Sequence, residues 1–541
     1  ESKYEITDIE ITDARQTGEN TYEYYPGGYR RLKKGDIYFT PDGTVFFKAK
    51  VTVPKEMQGK ELWLSMWTAA EIIVKVNGVY VGGMDPNRDR VLLSPYIDSG
   101  ELLIEMEGYN RSKPDDERNP DSMKLKGCRQ EFQGLYLATV NQDALSLFYD
   151  LQLLLDVSKS TYFNEDYRKF LNQELNNALN EIDFETLREC IGQNQESPSM
   201  EREKYEYVNE GIRAASAYIE KHIYENGDFR GSGNVALVGH SHLDIAYYWR
   251  RIHAVQKNAR TVLIQMRLMD RYPDFHYTHT QAYTYELLEK YYPELFEELK
   301  EKIAAGNFEP VGAMYIEPDC NIPSGESLAR HSLISQRYFK EKFEITAKTG
   351  YNVDSFGHNA SIPMILRQSG MKNYVFMRPG PHENADLDDL FIWESPDSSS
   401  VRADRIPHCY CVTNMNQLDD IIARSTAEKP LMAFYGVGNH GGGPTVMLIN
   451  EINANHKSEG VFYSTPDEYF EDTKNNDVKV VKDELQHHAR GCYSALSYVK
   501  RSNRAAEYAL YEAEALSVLA DKLTGEDNYP SEKLKKAWKN V

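Results

Sequence analysis

Cysteine is scarce: six in 541 residues, at Cys128, Cys190, Cys320, Cys409, Cys411 and Cys492. Their spacing makes no framework, so reduced thiols in a cytoplasmic protein are expected rather than disulfides. Cys409-Tyr410-Cys411 lacks the Cys-x-x-Cys spacing of redox or zinc-ribbon sites and reads as structural. Long apolar runs are missing as well, and no stretch approaches the length of a membrane-spanning helix. Basic charge is short: 62 Lys and Arg face 83 Asp and Glu, a formal net charge of -21. So acidic a surface argues against nucleic-acid backbones and anionic membranes as partners. It leaves neutral ligands such as sugars open. No secretory signal is visible, and a start at Glu1 without Met is expected of a processed or trimmed chain.

What is present is ordinary globular material, 41% hydrophobic and 27% charged. The length exceeds what one core can use, so three or so domains are expected. Residues 1–142 read as a β-sandwich of jelly-roll type. Val45, Phe47, Ala49, Val51 and Val53 alternate with polar neighbours, as do Leu62, Leu64 and Met66. Asn77-Gly78, between Ile73–Val76 and Val79–Val81, signals a two-residue hairpin. Trp63 and Trp67 suit either a sugar-stacking surface or a sandwich core or domain interface. The polar run Arg111–Asp121 reads as an exposed loop.

Residues 143–232 turn helical, with Leu147, Leu151, Leu154 and Leu155 on one face, and read as a connector. From 233 to 504 strands and helices alternate. Val235–Val238, Phe275–Gln281, Phe308–Met314, Ala347–Tyr351 and Tyr374–Met377 are the expected strands. His253–Asp270, Tyr285–Ala305, Ser324–Phe343 and Ile362–Ser369 are the helices between them. Alternation of this kind predicts parallel strands with crossover helices. The domain is expected to be a barrel-like β/α unit, although an open sheet fits the same pattern. In either case a site forms where strands end and helices begin. Residues 505–541 read as the start of a helical bundle. The pattern stops mid-helix at Lys539-Asn540-Val541, so a truncated or divided longer chain is expected.

Gly239-His240-Ser241-His242-Leu243-Asp244 closes the first parallel strand. Alternate residues of an extended segment share a side, so His240, His242 and Asp244 can converge. Imidazole nitrogen with carboxylate oxygen is a donor set suited to Zn²⁺. The competing account is a polar strand end with satisfied hydrogen bonds. Later strands run into Glu317-Pro318-Asp319 and Asp354-Ser355-Phe356-Gly357-His358. A Gly-rich loop, 436–444, follows the apolar run Leu431–Tyr435, and another segment holds Gln486-His487-His488. Taken alone, Asp354 suits a helix cap, and the loop lacks the Gly-Lys-Ser/Thr ending of a nucleotide cradle. A lone His pair suits surface or core. Gathered at one face, these groups point to a functional site. A metallo-β-lactamase arrangement needs a His after Asp244, where Ile245 stands.

Three blocks together resemble glycoside hydrolase family 38, the α-mannosidases: Gly239–Ala246, Glu317–Leu328 and Asn352–His358. They occur in the family's order. Cys492-Tyr493-Ser494 and Lys500–Arg504 also look familial, and the sandwich resembles the first domain of bacterial and cytosolic members. The resemblance implies a retaining, exo-acting hydrolase of terminal α-linked mannose. It implies His242, Asp244 and Asp354 as ligands of one zinc, which grips mannose hydroxyls, and Asp354 as nucleophile. His240, Tyr247, Phe356 and His488 are the expected substrate-binding residues. Tyr247 stands where the family carries a stacking Trp, and Asn439-His440 where many relatives carry the acid/base Asp. His440 and Asp319 are therefore the candidate acid/base groups. The family's fourth zinc ligand is expected beyond Val541. The expected partner is an α-mannoside oligosaccharide; a C-terminal fragment or second chain, and a homo-oligomer, remain open. The alternative reading is a catalytically impaired carbohydrate-binding protein on the same scaffold.

Overall fold

The computed structural model describes residues 2–38, 43–97, 100–110, 130–159, 165–193, 202–225, 234–247, 249–312, 314–407, 409–426, 428–438, 441–455, 460–486, 488–489 and 491–541. The expected loop Arg111–Asp121 and the candidates Asn439, His440 and His487 lie outside the described residues.

The alternating N-terminal positions become two antiparallel sheets. Thr44–Thr52 pairs along its whole length with Glu101–Tyr109, and Val45, Phe47 and Ala49 turn into the core. Leu62–Ser65 joins a second sheet beside Leu135–Thr139, whose Leu64 and Leu137 share that core with Phe47 and Val74. Asn77 and Gly78 both take positive φ, 49° and 85°. That is the backbone a tight hairpin turn needs between the paired strands Glu71–Val76 and Val79–Met84. Trp63 is buried and Trp67 is half-exposed. Among the described residues four α-helices follow: Gln142–Lys159, Glu165–Leu179, Phe184–Gln193 and Arg202–Ile219. Their apolar face departs from expectation in one place. Leu153, Leu154 and Val157 are buried, whereas Leu155 is 40% exposed.

A strand forms at each expected position: the first is longer than expected, the second, third and fourth are shorter, the fifth is shifted by one residue, and others are added. Val235–His240 is buried at every residue. It pairs in parallel with Tyr277–His279, Leu431–Tyr435 and Val461–Tyr463. Phe308–Pro310 extends this sheet beside Tyr277–His279. A second sheet runs Thr349–Asn352, Asn373–Phe376, Ser400–Arg405, Leu390–Glu394 and Val480–Val481. Leu390–Glu394 lies antiparallel to Ser400–Arg405, which strand-helix alternation does not predict. Among the described residues no sheet closes on itself; one parallel bridge, Gly312 to Gly350 at the start of the second sheet, approaches the first sheet's edge, and another joins Val412, outside any strand, to Tyr435.

Buried charge joins the sandwich to the helix Ala254–Arg271. Lys257 Nζ lies 2.5 Å from Glu71 Oε2, and Arg260 pairs with both Glu71 and Asp85. Asp85 also holds Arg88, 2.9 Å away. The last helices, Ser497–Thr524 and Ser531–Trp538, pack on the helix Gly325–Phe343 through Arg330, whose guanidinium meets Glu514 and the Trp538 ring. No helix among the described residues is long and apolar enough to cross a membrane.

Asp404, in the strand Ser400–Arg405, is fully enclosed, and burial pushes its carboxyl up to about 8. Between the ordinary Asp value and that figure the folded chain holds a proton the unfolded chain has lost. Stability is therefore lost as pH rises through this window. Asp404→Asn keeps an acceptor for the Tyr469 hydroxyl, 3.0 Å away, without a charge to bury. Its melting temperature should exceed wild type at pH 8 and match it near pH 4. An equal shift at both pH values would contradict the assignment.

Candidate active site

Chain direction alone brings the groups together. The strand Val235–His240 ends at His240 and hands His242 and Asp244 to the C-terminal face of the sheet. Thr349–Asn352 ends two residues before Asp354 and delivers it to the same place. His242 Nε2 lies 3.3 Å from Asp244 Oδ1 and 3.6 Å from Asp354 Oδ2. One ligand atom from each of the three falls within 4.8 Å of the others. A cavity of about 450 Å³ opens over them, with Gln281, Glu317, Asp319 and Phe356 also in its lining.

Glu317 organises this cluster. Its Oε1 accepts the Asp354 amide at 2.7 Å. Its Oε2 lies 3.1 Å from His242 Nδ1, an ion-pair distance without hydrogen-bond alignment. One carboxylate thus faces the back of the imidazole and ties down the backbone of Asp354. Gln281 fixes Glu317 in turn, accepting its amide at 3.1 Å while donating to the Leu243 carbonyl at 2.9 Å. Gln281 does so from a left-handed conformation, φ 70°, a cost that recurs where a side chain must be aimed.

Asp354 and His242 are both shifted upward by their surroundings. Burial raises the Asp354 carboxyl, and His242 and Arg378 pull it back without cancelling the rise. Arg378 Nε and Nη2 both donate to Asp354 Oδ1, at 3.0 and 2.5 Å. That leaves Oδ2 turned to His242. Burial would strip the proton from His242, but Glu317 and Asp244 outweigh it and hold the group well above its ordinary value. An imidazole pressed by three carboxylates is a site short of positive charge. With an open cavity in front and a carboxylate behind the ring, the donor set fits a divalent cation such as zinc.

The other expected residues divide. His240 lies beneath the site: it is 1% exposed. Its Nε2 meets the Tyr410 carbonyl at 2.6 Å and its Nδ1 the Tyr351 hydroxyl at 2.7 Å. Burial drives it down to about 3, so the ring is neutral, and neither nitrogen faces the cavity. The strand-alternation expectation that His240 joins His242 and Asp244 is corrected accordingly. Phe356 lines the cavity under the Arg378 guanidinium, 5.3 Å from its ring centre. His488 stands against Phe356, ring centres 5.1 Å apart, with Nδ1 2.6 Å from Glu383 Oε1. Tyr247 is exposed, its ring 6.1 Å from Trp249. Asp319 borders the cavity, and its Oδ1 caps a turn by accepting the amides of Asn321 and Ile322.

Two groups escaped the sequence reading. Glu317 shares its strand end with Asp319 but was not singled out, because nothing local says which carboxylate points inward. Arg378 directly follows the expected strand Tyr374–Met377, so the strand-end rule could have found it. Glu317→Gln keeps the shape and removes the charge behind His242. Zinc affinity, read by competition with a chromogenic chelator, should fall about 10- to 100-fold. Unchanged affinity would show that Glu317 does not support the cluster.

Residues 232–490 match the model of the glycosyl hydrolases family 38 N-terminal domain. Alpha-mannosidase G of Dictyostelium discoideum is 26% identical over 95% of this chain and 47% of its own length. Human alpha-mannosidase 2C1 is 25% identical over 94% of this chain and 49% of its own. The chain therefore spans about half the length of the curated relatives it matches. Among solved structures, an alpha-mannosidase from Enterococcus faecalis aligns over 57% of this chain and 38% of its own, at 22% identity and a TM-score of 0.49.

Proposed function

We propose, from the premise that this chain belongs to glycosyl hydrolase family 38, that it carries the catalytic half of a retaining, exo-acting α-mannosidase. The observation that carries the reading is the state of Asp354. Arg378 pins one of its oxygens, Glu317 pins its amide, and the second oxygen stands beside His242 at the cavity floor. A carboxylate held this way is preorganised to attack an anomeric carbon.

His242, Asp244 and Asp354 are the residues that would hold zinc. Zinc, when bound, supplies a Lewis acid and a template for sugar hydroxyls. The rest is work for the chain itself. Arg378 neutralises Asp354 in the resting state and receives the oxygen that stays behind when the other forms a glycosyl ester. Phe356 offers an apolar wall to the sugar ring. Retention requires a second proton-transferring group about 5 Å from the nucleophile. Asp319 at the cavity rim and His440 of the Gly-rich loop remain the candidates, and Tyr247 and His488 the outer sugar contacts. We also propose the division into a sandwich (1–142), a connector (143–232), a barrel-like β/α catalytic domain (233–504) and the first part of a helical bundle (505–541).

Asp354→Asn tests the reading with a nitrophenyl α-mannoside. Loss of roughly 10³-fold or more in kcat, with mannoside binding retained, is the expected result. Binding without turnover in both wild type and variant would favour a carbohydrate-binding protein instead.

A further inference from the structure

The segment Cys409–Val412 runs beneath the site and is anchored on both sides. The Tyr410 carbonyl meets His240 Nε2 at 2.6 Å. The Val412 carbonyl accepts the Gly436 amide at 2.8 Å, and Val412 bridges to Tyr435. Gly438 closes over it: a Cβ there would come within 2.8 Å of the Tyr410 ring and 3.3 Å of Cys411 Cβ. The chain bends at Tyr410, and a bend lets the side chains on either side of it turn toward each other. Cys409 and Cys411 do so, with Sγ atoms 2.9 Å apart. The Cys411 amide also points at Cys409 Sγ, at 3.3 Å. A disulfide bond is about 2.05 Å long, so joining the two sulfurs asks for a movement of about 0.9 Å.

The other described cysteines differ. Cys190 and Cys320 are buried and Cys492 is exposed, while Cys409 and Cys411 are both half-buried. The hydrogen bond from the Cys411 thiol, opposed by burial and helped by the Cys411 amide, lowers Cys409 to about 7. That favours the nucleophilic thiolate near neutral pH.

We propose that Cys409 and Cys411 form a dithiol site that reacts with a low-molecular-weight disulfide and ends as an intramolecular disulfide. The Cys409 thiolate attacks one sulfur of the small disulfide, whose S–S bond breaks and releases one small thiolate. Cys411 then gives up its proton and attacks the Cys409 sulfur of the mixed disulfide, releasing the second. Two protein thiols are oxidised, one small disulfide is reduced to two thiols, and the two protons lost by the cysteines end on those thiols. The structural role inferred from Cys-x-Cys spacing alone is revised to a reactive one. The proposal does not depend on the hydrolase reading.

Trypsin isolates the pair cleanly. The peptide Ile406–Arg424 contains Cys409 and Cys411 and no third cysteine, while Gly491–Lys500 contains the exposed Cys492. The folded chain is incubated with glutathione disulfide, alkylated with iodoacetamide, digested and weighed. Peptide Ile406–Arg424 should be two hydrogens lighter than the dithiol and carry no alkyl group, and dithiothreitol should restore it. Gly491–Lys500 should carry glutathione, and in Cys411→Ser the glutathione should remain on Cys409. A fully alkylated Ile406–Arg424 would overturn the proposal whatever Cys492 does. So would a glutathione adduct persisting on Cys409 beside an alkylated Cys411.

Discussion

Everything at the site depends on one buried strand being crowded on both edges. Val235–His240 has parallel partners at Tyr277–His279, Leu431–Tyr435 and Val461–Tyr463. Its glycine shows how close these lie: a Cβ on Gly239 would come within 2.6 Å of the His276 carbonyl. A side chain there would push the sheet apart, so position 239 is closed to any residue larger than Gly. With the strand fixed, the two residues past His240 have little choice of direction. His242 and Asp244 emerge on the face where Asp354 and Glu317 also end, because parallel strands share a direction.

A second constraint comes from outside the parallel sheets. The guanidinium of Arg88, in the sandwich, reaches the carbonyls of Gly442, Gly443 and Pro444 at 2.7, 2.5 and 2.8 Å. Thr261 receives the Gly442 amide at 2.9 Å, and Gln265 donates to the Gly442 carbonyl at 2.5 Å. The Gly-rich loop is thus held by the sandwich and by one helix. Arg88 is itself held by Asp85, which binds Arg260 of that helix. Charges this deeply enclosed are tolerated because each is paired; removing one partner from such a network costs about 3–5 kcal/mol. The sandwich is therefore mechanically part of the site's surroundings, which no motif on it announces.

The site was legible in the sequence as far as strand ends could carry it. Val235–Val238, the histidines after it, and Asp354 after Ala347–Tyr351 were readable from apolar runs followed by polar residues. His240 was misjudged because alternation treats every second residue alike. The strand remains buried through His240, and only past it does the chain reach the cavity. Ser400–Arg405 went unseen because its mixed composition carries no clean period, whereas Leu390-Phe391-Ile392-Trp393 is an apolar run that the same rule could have found. Glu317 and Arg378 went unassigned because a side chain's target is set by residues far away in the chain, here His242 and Asp354.

What the sequence by itself determined is that His242, Asp244 and Asp354 end on one face. Strand-helix alternation, the His-x-His-x-Asp spacing and the family blocks suffice for that, since parallel topology orders strand ends without knowledge of the partners. What only the tertiary structure decided is the division of labour among those groups. His242 serves the cavity while His240 braces the floor, Glu317 faces inward while Asp319 caps a turn, and Cys409 meets Cys411. Each outcome depends on burial and on distances of about 3 Å between residues far apart in the chain or turned to one side by a neighbouring element. Local patterns carry neither quantity.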